Sequence, residues 1–277
     1  MKILKFLYQM KIEFDMPVKG HHFTLKCIPH DGQGQVIEGI RYKVYPNRYI
    51  SRSTDSFANE CIYGFCEEEH DHFMVEVEGV ARTGVGGTCD EDPSMSIFKY
   101  QTQHTMPGEE LIAYHRKLDE QYPGRKAACG ETDTCESKTG IEGRAIFYMH
   151  SLYRDFVYES GSTAIGTTAE EALVQGKGVC QDYAHILLSL LRQDGIPCRY
   201  VAGMMFGEGF SHAWVEVYCE KGWIALDPTN DLVVDDSHIA ISRGRDYSDC
   251  LLNQGIFVGT RGKAQQIQTI LVEVWEM

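Results

Sequence analysis

The hydrophobic pattern of this chain changes once along its length, near residue 105. The first part has short β-favouring runs broken by turn residues, at residues 12–14, 23–28, 40–45, 61–65 and 73–80. The second part begins with apolar residues at helical spacing and continues with further β-favouring runs. The pattern therefore predicts an α+β protein with a β-rich N-terminal domain at residues 1–105 and a second domain at residues 106–277.

Four helices are predicted in the second domain, at residues 109–121, 143–156, 169–175 and from 180 onward. Thr168 and Glu171 have the spacing of a capping box at the start of the third helix. Gly195 and Pro197 provide the C-terminal stop of the fourth.

The fourth helix places Cys180 in its first turn. A helix N-terminus stabilises negative charge, and the thiolate is the reactive form of cysteine. Gly176 and Gly178 precede the cysteine and let the backbone approach the thiol, so that the Cys180 N–H can stabilise an oxyanion. Taken alone, however, a cysteine at such a position is more often a buried core thiol.

Two residues further along the chain change that interpretation. Residues 210–218 and 223–226 are predicted strands joined by a short turn. His212 and Asp227 then fall toward the same end of the hairpin, where the carboxylate can orient the imidazole. The order of thiol, imidazole and carboxylate predicts a catalytic triad of Cys180, His212 and Asp227.

The charge balance limits the partners of this chain. It has 40 acidic residues against 26 Lys and Arg, a formal net charge of −14. Contact with phosphate needs clustered cations, so nucleic acid and anionic membranes are not predicted as partners. No segment has the roughly 20 apolar residues that a membrane span needs. An acidic surface favours a neutral or basic protein or peptide substrate.

The cysteines and the paired histidines carry no recognisable metal-binding pattern. The ten cysteines include no Cys-x-x-Cys pair, which disfavours a zinc site. His21, His22, His70 and His72 are predicted in polar turns, where solvated histidines are commoner than metal ligands. The first residues are typical of a β-strand rather than a secretion signal. We therefore expect reduced thiols, a cytoplasmic location, and no metal or cofactor.

Four blocks of the sequence resemble the bacterial transglutaminase-like family, which includes proteins described as cysteine proteases. The blocks are residues 178–184 (Gly-Val-Cys-Gln-Asp-Tyr-Ala), 195–203 (Gly-Ile-Pro-Cys-Arg-Tyr-Val-Ala-Gly), 211–217 (Ser-His-Ala-Trp-Val-Glu-Val) and 222–230 (Gly-Trp-Ile-Ala-Leu-Asp-Pro-Thr-Asn). The β-rich first hundred residues resemble the N-terminal domain often joined to this core. The resemblance implies a papain-like α+β core, in which the helix bearing Cys180 packs against an antiparallel sheet bearing His212 and Asp227.

The resemblance also implies a role for each site residue. Cys180 would attack a carbonyl carbon to form a thioester, His212 would activate the thiol and shuttle the proton, and Asp227 would hold the imidazole. Related enzymes supply a second oxyanion donor upstream of the cysteine, for which Tyr158 is the candidate, although it also fits a core position. The family includes both peptide or amide hydrolysis and acyl transfer to amines, so the acceptor stays open.

Two other functions remain open at this stage. One is an N-acetyltransferase that uses the same triad with a coenzyme A donor, although no coenzyme-binding signature is readable. The other is a non-catalytic interaction module that keeps the fold, which the intact set of Cys180, His212 and Asp227 disfavours. Neither a calcium loop of the EF-hand type nor the zinc-binding cysteine pairs of peptide N-glycanases can be found. The oligomeric state is left open.

Overall fold

The computed structural model describes residues 1–32, 34–85, 95–123, 140–220, 222–259 and 264–274. These residues form one eight-stranded and one five-stranded antiparallel sheet, with four α-helices between residues 109 and 193. The α+β class predicted from the sequence is confirmed.

The first sheet is built around one long strand at the N-terminus. Its first five strands are β1 (Lys2–Leu25), β2 (Gln35–Tyr45), β3 (Tyr49–Thr54), β4 (Glu60–Cys66) and β5 (His70–Thr83). Every second side chain from Leu4 to Met10 is buried, which is the period of a strand with one face in a core. Strand β1 pairs with both β4 and β5.

The prediction that the four paired histidines lie in turns was wrong, and two of them, His21 and His70, are not solvated. Strand β1 runs through the segment predicted as a break, so His21 and His22 lie within it, and His70 and His72 lie in β5. The His21 and His70 rings are buried and stacked, with Nδ1 of His21 3.2 Å from Nε2 of His70. Pairing with neighbouring strands has overridden the local turn signals.

The helices have the bounds α1 (Glu109–Gln121), α2 (Ile141–Asp155), α3 (Ala169–Gln175) and α4 (Cys180–Gln193). The capping box of α3 is present, with the Thr168 hydroxyl accepting from the Glu171 N–H. Gly176 ends this helix in the left-handed conformation, at a φ of 70° that favours glycine. Two short strands that flank α3, β6 (Val157–Tyr158) and β7 (Lys177–Gly178), pair in parallel.

The second sheet lies against α4. It contains β8 (Cys198–Met205), β10 (His212–Cys219), β11 (Gly222–Asp227), β12 (Leu232–Val233) and β13 (His238–Gly244), in the order β12-β11-β10-β8-β13. The side chains of α4 from Asp182 to Arg192 are all buried, and the helix packs on β8 and β10. This packing brings the helix start close to the end of the β10–β11 hairpin.

The last two strands return to the first sheet. Strands β14 (Asn253–Gly259) and β15 (Ala264–Val274) both pair with β1, and the short strand β9 (Gly207–Gly209) pairs with β15. The division into domains at residues 1–105 and 106–277 stays a prediction, and the C-terminal strands join the sheet of the first part. Among the described residues, no helix is long and apolar enough to cross a membrane.

Candidate active site

Cys180 is the first residue of α4, as predicted. The Asp182 carboxylate accepts hydrogen bonds from the Val179 N–H (2.7 Å) and the Thr163 hydroxyl (2.7 Å), so it caps the helix directly beside the thiol. A Cβ atom at Gly178 would lie 2.5 Å from the Asp182 Oδ2 atom. Glycine is therefore required at this position for the close approach that sets the start of the helix.

His212 and Asp227 meet at one end of the β10–β11 hairpin. His212 is the first residue of β10 and Asp227 the last of β11. The Nε2 atom of His212 lies 2.7 Å from the Asp227 Oδ2 atom, and Asp227 is fully buried. Cys180 and His212 line the same cavity, so the structure brings together the three residues predicted from the sequence.

The Asp227 carboxylate is held by five hydrogen bonds. Its Oδ1 atom accepts from the backbone N–H groups of Thr229 (3.0 Å) and Asn230 (3.3 Å). Its Oδ2 atom accepts from His212, from the Asn230 side-chain amide (2.7 Å) and from the Nε2 atom of His238 (3.3 Å). Burial opposes ionisation, yet the hydrogen bonds from His212 and His238 hold the pKa of the carboxyl well below its usual range.

The imidazole of His212 is stabilised in its protonated form. Burial lowers its pKa, but the hydrogen bonds with Asp227 and Cys180, together with the negative charge of both groups, more than offset this and raise the pKa to about 10. His212 therefore carries a positive charge next to the thiol over the whole neutral range. Such a cation stabilises a thiolate at Cys180.

The cavity at the thiol has a volume of about 300 Å³. Its walls come from the start of α4, from β8 and β10, and from the first sheet, which contributes Tyr8, Gln266 and Gln268. No Asp, Glu, Lys or Arg is among the described residues that line it. Among the described lining residues, His212 is therefore the one that carries a positive charge at neutral pH.

Tyr158 lies near the thiol. Tyr158 pairs with Gly178 across the β6–β7 ladder, and Gly178 lies two residues before Cys180. About half of the Tyr158 surface is exposed. Partial burial and the neighbouring Cys180 raise the pKa of its hydroxyl, so the group stays protonated and can donate a hydrogen bond. This exposure excludes a core position for Tyr158. The role of Tyr158 as an oxyanion donor stays a prediction.

His238 and Asn230 were not identified from the sequence as residues that contact Asp227. Asn230 follows Asp227 by three residues in an Asp-Pro-Thr-Asn turn, where an aspartate commonly accepts from backbone N–H groups, so this contact had a local signal. His238 had none, because it reaches Asp227 only through the pairing of β13 with β8. Its Nδ1 atom lies 3.0 Å from the Ser237 hydroxyl, which leaves Nε2 as the donor to Asp227.

His212, Asp227 and His238 each place one potential metal-ligand atom within 4.8 Å of the other two. Such spacing would also suit a metal ion. Each of these atoms takes part in the hydrogen bonds just described. The hydrogen-bond network accounts for the cluster fully, and we assign no metal to it.

Removing the His238 donor is expected to weaken the site without unfolding it. In His238→Leu, Asp227 keeps its other four hydrogen bonds, and the loss of one is expected to slow alkylation of Cys180 at pH 7 about fivefold, the equivalent of about 1 kcal/mol. His238→Gln, whose amide can donate to the same oxygen, should stay within about twofold of the wild-type rate. Equal rates in all three proteins, each with unchanged thermal unfolding, would rule out a positioning role for His238.

Two profiles of known protein families match the sequence of this chain. The profile of the transglutaminase-like superfamily matches residues 130–228, and that of the bacterial transglutaminase-like N-terminal region matches residues 4–82. Residues 130–228 form a transglutaminase-like core. Cys180, His212 and Asp227 all lie within the matched core, and the resemblance found in the four sequence blocks is confirmed.

The curated relatives match this chain over only part of its length. An uncharacterized protein of Mycobacterium tuberculosis is 40% identical over 121 residues, and the match covers 38% of each chain. A protein-glutamine gamma-glutamyltransferase of Pseudomonas aeruginosa is 40% identical over 65 residues, 19% of this chain and 10% of that protein. The chain thus spans well under half the length of these curated relatives.

The fold as a whole is found in a solved structure. The crystal structure of a "putative cysteine protease" from Cytophaga hutchinsonii superposes with a TM-score of 0.75 at 19% identity, over 100% of this chain and 92% of that one. At this identity the likeness establishes the fold alone. The shared fold extends over both sheets of this chain.

Proposed function

We propose that this protein is a thiol acyl-transfer enzyme that acts on an amide or peptide bond. The observation that carries the proposal is the His212 imidazole, which lies beside Cys180 in one cavity and is held by the buried carboxylate of Asp227 at 2.7 Å. This is the arrangement that an activated nucleophile, its base and an orienting group require.

In the first half of the reaction, the Cys180 sulfur attacks the carbonyl carbon and forms a carbon–sulfur bond. The oxyanion that develops is stabilised by the Cys180 N–H at the start of α4, and we assign the second donor to the Tyr158 hydroxyl. The carbon–nitrogen bond then breaks as His212 gives its proton to the leaving amine. The products of this half are a free amine and a thioester on Cys180.

In the second half, an acceptor attacks the thioester and His212 takes its proton. Water as the acceptor releases a carboxylic acid, which makes the protein a cysteine peptidase or amidase. A primary amine as the acceptor produces a new amide, as in the gamma-glutamyltransferase named above. The residues that form the thioester are the same in both cases, and we propose a protein or peptide as the substrate.

The site gives less support to the two other functions, a non-catalytic module and an N-acetyltransferase. A non-catalytic module has no need of a buried carboxylate with five hydrogen bonds beside a charged imidazole and a thiol. An N-acetyltransferase would transfer an acetyl group from coenzyme A to an amine, so release of free coenzyme A from acetyl-CoA would identify it. We also propose a cytoplasmic location, because a thiol nucleophile suits a reducing compartment.

The proposal predicts that Cys180 is by far the most reactive of the described thiols. The other six, at positions 27, 61, 66, 198, 219 and 250, are buried. Burial raises the pKa of Cys27 to about 12 and that of Cys198 to about 11. We expect iodoacetamide at pH 7 to modify Cys180 at least about a hundredfold faster than either, as measured by peptide mass spectrometry over time. Labelling of Cys180 as slow as that of Cys27 would remove the basis for the proposed nucleophile.

A further inference from the structure

The cavity at Cys180 has one wall that does not come from the transglutaminase-like core. Tyr8 of β1, Asn253 of β14, and Gln266 and Gln268 of β15 all line it. Both β14 and β15 pair with β1 in the first sheet. The sheet of the N-terminal region therefore lies directly beside the proposed nucleophile.

Gln268 ties this wall to the site. Its amide nitrogen donates to the Tyr8 hydroxyl (3.2 Å), and its Oε1 atom accepts from both the N–H and the hydroxyl of Ser211 (3.2 Å each). Ser211 directly precedes His212. The hydrogen bonds fix the position of β15 relative to the imidazole.

The wall contains two further side-chain amides, those of Gln266 and Asn253, that are available for hydrogen bonds to a ligand. Gln266 is two residues before Gln268 on β15 and therefore lies on the same face of the strand. Neither its side chain nor that of Asn253 has a hydrogen-bond partner among the residues that the structure describes. Each amide offers two N–H donors and one carbonyl acceptor to a molecule in the cavity.

The chemistry of the wall fits one kind of ligand. Apart from Cys180 and His212, the described residues of the cavity lining carry amides, hydroxyls and apolar groups without an acidic or basic side chain, although the chain as a whole has a net charge of −14. A charged side chain would lose its hydration in such a cavity without gaining an ion pair. A peptide backbone carries the N–H and C=O groups that amides pair with, and it has no charge.

We propose that Gln266 and Asn253 bind the backbone of an uncharged, extended segment of the acyl donor, and that Gln268 holds this wall in register with His212. The proposal rests on the function proposed above and extends it, because it assigns substrate selection to the first sheet. The acyl donor then spans two surfaces, with its carbonyl carbon at Cys180 and the preceding residues on β14 and β15.

The test compares two alkylating reagents with the same reactive group. Chloroacetone reacts with the thiol but is too small to use the wall, whereas N-acetyl-trialanine chloromethyl ketone carries a neutral peptide on the acyl side. The ratio of their second-order labelling rates at Cys180 measures how much the contacts between the peptide and the protein accelerate labelling. In the wild type we expect the peptide reagent to react at least about tenfold faster, since each new hydrogen bond contributes about fivefold.

Two variants of the protein locate that gain. The double variant Gln266→Leu with Asn253→Leu should lose about tenfold or more of the ratio, while its rate with chloroacetone stays within about twofold of the wild type. Gln265→Leu is the matched control, because Gln265 is the same residue type on the opposite face of β15 and does not line the cavity. Peptide reagents with glutamate or lysine in place of the central alanine should show no gain in the wild type.

The possible results separate this proposal from the function on which it rests. Normal chloroacetone labelling with an unchanged ratio in the double variant would overturn the amide wall and leave the nucleophile standing. An equal loss in Gln265→Leu would also overturn it. Chloroacetone labelling of Cys180 as slow as that of the buried thiols would overturn the proposed function and the wall with it.

Discussion

Replacing Asp227 by asparagine is expected to slow formation of the acyl-enzyme by about a thousandfold or more, because a triad that loses its carboxylate holds the imidazole in the wrong tautomer. The local structure makes the effect severe. Both oxygens of Asp227 face only donors, two of them at Oδ1 and three at Oδ2. An asparagine NH₂ group would point at donors in either orientation.

The same mismatch should lower the stability of the protein. Asp227 is fully buried, so a donor facing donors cannot be solvated, and we expect the free energy of unfolding to fall by roughly 1–3 kcal/mol. Chemical denaturation and the rate of Cys180 acylation would be measured on the same sample, so that the loss of rate is recorded on folded protein. Asp194→Asn is a suitable control, since Asp194 also accepts hydrogen bonds from a histidine, His115, at a site that does not line the cavity. A folded Asp227→Asn protein that acylates at the wild-type rate would exclude Asp227 as the orienting group.

Replacing His212 by alanine is expected to change how the reactivity of Cys180 depends on pH. The pKa of His212 is raised to about 10, so the imidazolium is present below that pH and is lost as the pH rises through it. The cation therefore favours the thiolate over the neutral range, and the iodoacetamide rate of the wild type should rise less steeply with pH than that of the variant. In the variant the rate should rise about tenfold per pH unit from pH 6 to 8, as for an ordinary thiol.

At pH 6 the two proteins should therefore differ by about tenfold or more in labelling rate. Turnover of an amide should fall further, by about a hundredfold to ten thousandfold, because the leaving amine also loses its proton donor. His115→Ala provides a matched control, since it removes a histidine whose Nε2 atom lies 2.9 Å from a carboxylate oxygen of Asp194. Parallel pH profiles for the wild type and His212→Ala would show that the imidazole does not stabilise the thiolate.

The parts of the site that could be predicted from the sequence are those set by local chemistry. The apolar spacing after Cys180 and the glycines before it define the start of α4, and the structure begins the helix at that residue. The short turn between β10 and β11 brings His212 and Asp227 to one end of a hairpin, which the structure confirms. The Asp182 carboxylate, two residues after Cys180, caps the same helix start by accepting from the Val179 N–H.

The remaining parts depend on contacts between distant segments, for which a single sequence has no local signal. Tyr8 and Gln268 are 260 residues apart, yet they are hydrogen-bonded beside the thiol cavity. His238 reaches Asp227 only after β13 has paired with β8. The error over His21 and His70 has the same origin, because the apolar neighbours that bury them, Phe14, Phe73 and Phe257, come from three different strands.

The acceptor enters the reaction only after the thioester has formed, so the product of the second half identifies it. A reducing agent belongs in every assay, because oxidation of the nucleophile would abolish activity. With a peptide library as the acyl donor, addition of a primary amine would distinguish hydrolysis from transfer by the mass of the released product.

The most direct test of the account is the mass of the protein after brief incubation with that library and rapid acid quenching. We predict that the wild-type protein gains the mass of an acyl group, that this group maps to Cys180, and that it is released by hydroxylamine as a thioester would be. Cys180→Ala should show no such adduct, whereas Cys27→Ala, which changes a buried thiol outside the cavity, should still form it. An adduct on another residue, or one that persists in Cys180→Ala, would contradict the assignment of Cys180 as the nucleophile.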